Sequence, residues 1–369
     1  MAIAAFLARR ALISVVLLVV LSMATFAIFF AIPVNPGRIL FGAGAFVPDA
    51  ELARANEALG TDRPKHEQYL HYMWDVVRGD FGTAWSGATM NRQGPPKLEG
   101  QDVGEILFRS ARVTASLALG GAVLLVLLAV PLGVLAASRA GSWLDRTLIV
   151  VTLVAISTHP LVVGLVLRLV AADRFGLTPP SGYCPLRGEP AVGYSTSVLS
   201  PSVLGEECSG PRAWAHHLVL PWLTFALLLI ALYMRMIRFR VLEVLGEPHV
   251  RTARAKGASE WRVLTRHTVR TALAPVAPML AMDLGLALGI AIYVESVFRL
   301  PGLGQLAVTA LSGQSGYDRP VIVGLVLLTG AAIIVLNLLA DLVLALVDPR
   351  VRERGADRSA LGGPLRVGA

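Results

Sequence analysis

The chain has 369 residues, 55% hydrophobic and 16% charged, with a formal net charge of +8 and a mean hydropathy of +0.64. That is too apolar for an ordinary soluble domain, and the composition poses the question of how many runs can cross a bilayer, each needing roughly 20 predominantly apolar residues. The three lysines, Lys65, Lys97 and Lys256, are followed by His, Leu and Gly, so none sits in a G-x-x-x-x-G-K-[ST] phosphate loop and the chain holds no such site for ATP.

Residues 1–32 read as an N-terminal anchor and first membrane helix, with the apolar run at Ala11–Ile32. Arg9 and Arg10 precede it as in a signal peptide, but the run exceeds the usual length and no A-x-A site follows. The two arginines are read as orientation charges rather than a twin-arginine export signal. Residues 33–112 form a polar segment large enough for a small subdomain. Within it Glu51–Leu59 and His66–Val77 show helical apolar spacing, and Thr83–Gly100 has the Gly, Pro, Asn and Ser of loops.

Residues 113–347 hold five more apolar runs: Val113–Ala137, Thr147–Ala172, Leu218–Tyr233, Ala272–Phe298 and Val321–Val347. The run at Leu218–Tyr233 is the shortest. Between the third and fourth lies a Gly-, Pro- and Ser-containing loop at 173–216, between the fourth and fifth a basic loop at 234–271, and residues 348–369 form a tail. No heptad, solenoid or inverted repeat is visible.

Lys and Arg in the shorter loops set orientation. With the N-terminus inside, the inner segments carry eighteen of these residues and the two short outer loops five. Both termini are therefore expected in the cytoplasm, the net charge follows from topology, and it is poor ground for nucleic acid binding. The only two cysteines, Cys184 and Cys208, then fall outside, where disulfides persist. A bridge would close a loop of about 25 residues and stabilise it by about 3.5 kcal/mol in the chain-entropy account; two unpaired thiols are the alternative. Neither cysteine combines with His216 and His217 at zinc-ligand spacing, so no metal site is expected.

The basic loop reads as two helices about a turn. Glu247 can cap a first helix, Pro248 suits its first position, and Gly257 suits the left-handed residue that ends it. Ser259 and Glu260 suit the start of the next, one as a cap and one near the positive end of its dipole. This second helix is expected to run toward the fifth span until Pro275 and Pro278 disturb it. Resting on anionic lipid and binding DNA are weaker readings, because the pair is tethered between spans and rich in small residues suited to docking in a protein groove.

Ionisable groups inside spans point to pathways by default: His159, Arg168, Asp283, Glu295 and Asp341. Asp283 is the deepest and is taken, with Glu295, as a candidate for the substrate path. A proton relay through Asp283, Glu295 and Asp341 is the rival, and a structural hydrogen-bonding role for Asp283 another. Gly285 and Gly289 form a G-x-x-x-G pattern that permits close helix approach, more within the chain than between chains.

The segments HVRTARAKG (249–257), VLTRH (263–267) and RTALAPV (270–276) resemble the EAA loop of ABC-importer permeases, and specifically the dipeptide and oligopeptide permease family. LGTDRPKHEQYLHYMWDVVRGDFG (59–82), VESVFRLPGLGQL (294–306) and DPRVR (348–352) extend the likeness over nearly the whole chain. Three features depart from it. Arg251, Thr252 and Ala253 stand where the general loop has Glu-Ala-Ala, Pro33-Val34-Asn35-Pro36-Gly37 stands where relatives often have P-G-D-P, and the cysteine-bearing loop is longer than usual.

The resemblance implies an all-α, type I importer permease fold with six transmembrane helices and a small extracytoplasmic subdomain, multi-pass in the cytoplasmic (inner) membrane. It implies a second homologous permease, two ABC ATPases that bind ATP and Mg, and an extracytoplasmic binding protein; this chain itself would carry no cofactor and no enzymatic activity. It makes Arg251, Thr252, Ala253, Arg254, Ala255 and Lys256 the docking helix for an ATPase and Gly257 the turn. Ala258, Ser259, Glu260, Trp261 and Arg262 would complete the contact. Peptides are the implied cargo, with a nickel chelate or another small solute as the rival in the same class. A proton-coupled transporter or a membrane receptor would be the rivals outside it.

Overall fold

Asp102 starts the longest of the described helices. Its backbone is extended and its Oδ1 accepts from the amides of Gly104 at 2.6 Å and Glu105 at 3.3 Å, two of the donors a helix leaves unpaired at its N-terminus. In the computed structural model, which describes residues 2–31, 48–58, 64–85, 89–90, 98–186, 210–274, 276–312 and 318–347, this helix covers Val103–Ser138. It carries Pro131 in its interior, which helices in lipid tolerate.

In chain order the helices are α1 (Ala2–Ala31), α2 (Asp49–Ala58), α3 (Lys65–Val77), α4 (Val103–Ser138), α5 (Trp143–Ser157) and α6 (Pro160–Leu167). Arg168–Arg174 continues α6 as a wide π turn, π1. Then come α7 (Pro211–Leu245), α8 (Pro248–Ala255), α9 (Glu260–Arg262), a second π turn π2 (Val263–Val269), α10 (Arg270–Ala272), α11 (Val276–Phe298), α12 (Leu303–Ser312) and α13 (Arg319–Val347). The described strands are β1 (Thr89–Met90) and β2 (Leu98–Glu99), a two-residue antiparallel ladder within the stretch expected to be loop. The tail at 348–369 and the motif at 33–37 lie outside the described residues.

Among the described residues four helices hold stretches long and apolar enough to cross a membrane: Arg10–Phe29, Val103–Ser138, Pro211–Leu245 and Arg319–Leu342. The fourth expected run, the shortest in the sequence, belongs to a 35-residue helix with a well-buried surface. Its charged and polar flanks masked its length.

The third run is not one helix. Pro160 lacks an amide donor and biases His159 away from helical backbone; His159 takes φ −65° and ψ 139°, and its Nδ1 accepts from the Leu161 amide. The break separates α5 from α6. The fifth helix starts at Val276, after a turn that follows α10, rather than at Ala272.

Contacts fix the relative directions. Gly120, Gly121 and Gly133 of α4 lie against Trp222, Phe225 and Ile237 of α7 in the same order along both chains, so α4 and α7 run parallel. Asp145 meets Arg238 and Gly164 meets Thr224, so the α5–α6 path runs antiparallel to α7. Thr114 of α4 reaches Glu295 near the end of α11, which makes those two antiparallel. Leu21 faces Gly330 and Arg10 pairs with Asp341, so α1 and α13 are antiparallel. Gly324 of α13 packs on Val103 and Leu107 at the start of α4.

The core follows from this arrangement. One cluster joins the C-terminal halves of α4 and α7 through Leu125, Ala129, Ile230, Tyr233 and Ile237. A second gathers Leu117, Phe225, Val294, Phe298 and Leu300, and a third packs Phe81, Leu107, Leu303 and Val321 at the opposite end from the α7–α8 junction.

Candidate functional site

The basic loop is built as the residue types dictate. Glu247 is extended, Pro248 opens α8, and the Glu247 carboxylate lies 3.0 Å from His249 Nδ1 rather than capping the helix. At the other end Gly257 takes φ +78°. Its amide donates to the Arg254 carbonyl at 2.9 Å and the Ala258 amide donates to the Ala253 carbonyl at 3.2 Å. Those two bonds make the Schellman closure that a left-handed glycine permits. Ala253 and Ala258 pack together against the neighbouring core.

Ser259 precedes α9 with extended backbone, but its side chain makes no capping bond; its carbonyl accepts from the Val263 amide at 2.9 Å. Glu260 has a role beyond the helix dipole. Its two oxygens receive Arg254 Nε at 2.9 Å and Nη2 at 3.1 Å, a two-pronged pair across the glycine turn. The carboxylate raises the guanidinium's already high pKa.

The pair of helices is rooted on one side and open on the other. Val250 and Val263 are fully buried in the cluster formed by α4 and α7. The π turn π2 keeps Thr268 buried, with its hydroxyl donating to the Val263 carbonyl at 3.1 Å. Arg251, Thr252, Arg254, Ala255, Lys256, Ser259, Glu260 and Arg262 are exposed, and Ala253 and Ala258 half-buried. Trp261, 75% exposed, projects from α9. An indole so placed on the surface of a basic helix pair suits a protein interface, where Trp and Arg are enriched.

A second charged pair joins the start of α5 to α7. Asp145, at the start of α5, receives Arg238 Nε at 2.6 Å and Nη2 at 2.8 Å, and the Gly141 amide at 2.9 Å. The guanidinium holds the Asp145 carboxyl below the usual carboxylate range, against the opposing effect of burial. Sequence reading missed this pair because its members lie far apart along the chain.

The candidates in the spans do not come together. The Tyr233 hydroxyl donates to Asp283 Oδ2 at 2.6 Å, tying α7 to α11. Glu295, twelve residues further on and about 18 Å along the same helix, is fully buried. It accepts from Thr114 Oγ1 at 2.6 Å and from the amides of Gly304 at 2.8 Å and Gln305 at 3.0 Å. It therefore caps α12, whose first turn overlaps the end of the VESVFRLPGLGQL segment. Gly302 is needed there, since a Cβ would fall 2.2 Å from Glu295 Oε1.

Asp341 is engaged by Arg10, and Arg168 Nη1 donates to the Val297 carbonyl at 2.8 Å. Gly285 faces Ile333 of α13 at ordinary contact distance, whereas no described atom lies within 4 Å of a Cβ built on Gly289. Cys184 is buried and carries no free thiol, with its Sγ 3.6 Å from His217 Nε2; Cys208 lies outside the described residues. His216 Nε2 donates to the Leu177 carbonyl and His217 Nδ1 to the Ala213 carbonyl.

Residues 129–353 match the family described as binding-protein-dependent transport system inner membrane component, and residues 3–118 match its N-terminal companion. The chain is similar to the dipeptide transport system permease protein DppB of Escherichia coli, 32% identical over 354 residues that cover 95% of this chain and 99% of that one. It is also similar to the oligopeptide transport system permease protein AppB of Bacillus subtilis, 30% identical over 348 residues, covering 94% and 99%. The di/tripeptide transport system permease protein DppB of Pseudomonas aeruginosa is 30% identical over 351 residues, covering 95% and 99%. With four helices long and apolar enough to cross a bilayer among the described residues, the chain is a multi-pass membrane protein and a transport permease subunit rather than an enzyme. It belongs to the family of binding-protein-dependent transport system inner membrane components.

Proposed function

We propose that this chain is one permease subunit of an ATP-binding-cassette importer that carries di- or oligopeptides into the cytoplasm. α8 and α9 receive the movement of a partner ATPase. The observation that carries this reading is the two-sided build of the loop: an exposed basic face with Trp261, rooted by Val250 and Val263 between the two most intimately packed long helices. A push on α8 is thereby delivered to α4 and α7 together. ATP and Mg belong to the partner, in keeping with the missing phosphate loop.

Six crossings account for the alternating directions of α1, α4, the broken α5–α6–π1 path, α7, α11 and α13. The excess of basic residues at the end bearing α8 supports a cytoplasmic location for that end and for both termini, in a chain of the inner cell membrane. The partners are then a second homologous permease, two ATPases and an extracytoplasmic binding protein, and Cys184 pairs with Cys208 outside. Peptides are preferred to nickel chelates because the named relatives are peptide permeases. A relay through Asp283, Glu295 and Asp341 finds no support in carboxylates that each bond elsewhere.

Replacing Arg251, Arg254 and Lys256 together with alanine tests the docking role. Membrane insertion should be unchanged and co-purification of the ATPases should fall severalfold. A complex that assembles and transports normally would reduce these charges to orientation signals.

A further inference from the structure

α3 lies beside the C-terminal third of α1 and presents an apolar face that no described residue covers. The Tyr69 hydroxyl is 2.8 Å from Ser22 Oγ, and the Tyr69 ring meets the edge of Phe26 at 5.2 Å. Val76, on the same side of α3, packs into the cluster of Phe81, Leu107 and Val321. Ser22 and Phe26 sit about 13.5 and 7.5 Å before Ala31, the last residue of α1, at 1.5 Å per residue. α3 is therefore held at a depth just inside one edge of the hydrocarbon.

The remaining surface of α3 divides into two arcs. Leu70, Trp74 and Val77, spaced four and three residues apart, fall on one side and are 64%, 57% and 77% exposed. Glu67, His71 and Arg78 fall on the next, also exposed, with the Arg78 guanidinium 4.5 Å from the Trp74 ring centroid. One side thus meets protein, one is apolar and one is polar, with an indole and a cation at the seam between the last two. Tryptophan gathers at membrane interfaces, and helices of this pattern lie in the plane of the bilayer with the apolar side about 5–10 Å deep.

We propose that α3 is an interfacial helix whose Leu70, Trp74 and Val77 are immersed in lipid at the headgroup boundary beside the C-terminal end of α1, fixing the height of the 48–102 segment on the membrane. The occupant is lipid rather than a protein partner because the depth set by Ser22 and Phe26 places this face level with acyl chains. The proposal rests on the reading of α1 as a membrane span.

The test uses the assembled complex in nanodiscs whose lipids carry bromine either near the headgroup end of the acyl chain or near its terminus. The emission difference between the wild type and Trp74→Phe isolates Trp74 among six tryptophans. It should be quenched most by the shallow bromine and little by aqueous iodide. Quenching by iodide alone would place this face in water, and protection from both quenchers would place it under a protein; either result overturns the proposal. In the Trp74→Phe background, Val16→Trp puts an indole on an exposed position of α1. Bromine quenching there with none at Trp74 refutes the interfacial helix while keeping the span, and quenching at neither removes the span itself.

Discussion

Gly257 needs its backbone freedom rather than its small size. At φ +78° a Cβ would meet nothing within 4 Å, so the cost of a side chain is conformational, roughly 1–2 kcal/mol for an L-residue in the left-handed region. Gly257→Ala should lower ATP-driven transport and Gly257→Asn should retain more of it, since asparagine visits this region more readily; equal loss with both would mean that space is what matters. The glycine and Pro248 were legible in the sequence because their roles are local. The Arg254–Glu260 pair was not, because it depends on the hand of the turn between them. Asp145 and Arg238 were still less accessible, since their meeting requires the packing of α5 on α7.

The Asp145 pair makes a prediction with a definite sign. Its folded carboxyl titrates below the unfolded value of about 3.9, so the stabilisation is complete above that value and disappears as pH falls through the folded one. Asp145→Asn should cost about 3 kcal/mol, the lower edge for breaking a buried pair, because Arg238 keeps 24% of its side chain exposed. Melting temperatures of wild type and variant in detergent should differ by a constant amount from pH 6 to 8 and converge below about pH 4. A difference that grows on acidification would contradict this assignment.

Among the elements, α4 and α7 depend on glycine for their close approach. A Cβ at Gly121 would fall 2.5 Å from Phe225 Cδ1, whereas one at Gly285 would sit 3.5 Å from Ile333 Cγ2. Gly121→Val should destabilise by about 1–3 kcal/mol or more through overpacking, and Gly285→Ala should be nearly neutral in the same thermal assay. The sequence pattern pointed to Gly285 and Gly289 because their spacing is regular; the tighter contacts at Gly120, Gly121 and Gly133 have no such signature. α12 was missed for a related reason, since its cap, Glu295, lies on the preceding helix. Glu295→Gln retains an acceptor for the Gly304 and Gln305 amides, so it should preserve most uptake, while Glu295→Ala should lose about 0.5–2 kcal/mol of stability, the scale of a helix cap. Equal abolition of transport by both substitutions at unchanged stability would return Glu295 to the substrate path.

Across the whole molecule, the helical class, most apolar runs and the two-helix plan of the basic loop could be read from the sequence because each rests on periodicity, composition or turn chemistry. The true lengths of α4 and α7 and the broken α5–α6 path required the structure, since tertiary packing sets where helices continue beyond their apolar stretches. In the proposed coupling α8 is a lever fixed to two parallel helices, with Arg251 and Lys256 and, on α9, Trp261 on the exposed side. ATP-dependent uptake of labelled di- and oligopeptides into proteoliposomes, with the assembled complex carrying Arg251→Ala and Lys256→Ala while Arg254–Glu260 is left intact, tests this lever most directly. Uptake should fall at least severalfold with the permease still inserted and folded, and uptake at the wild-type rate would contradict the coupling role of α8 and α9.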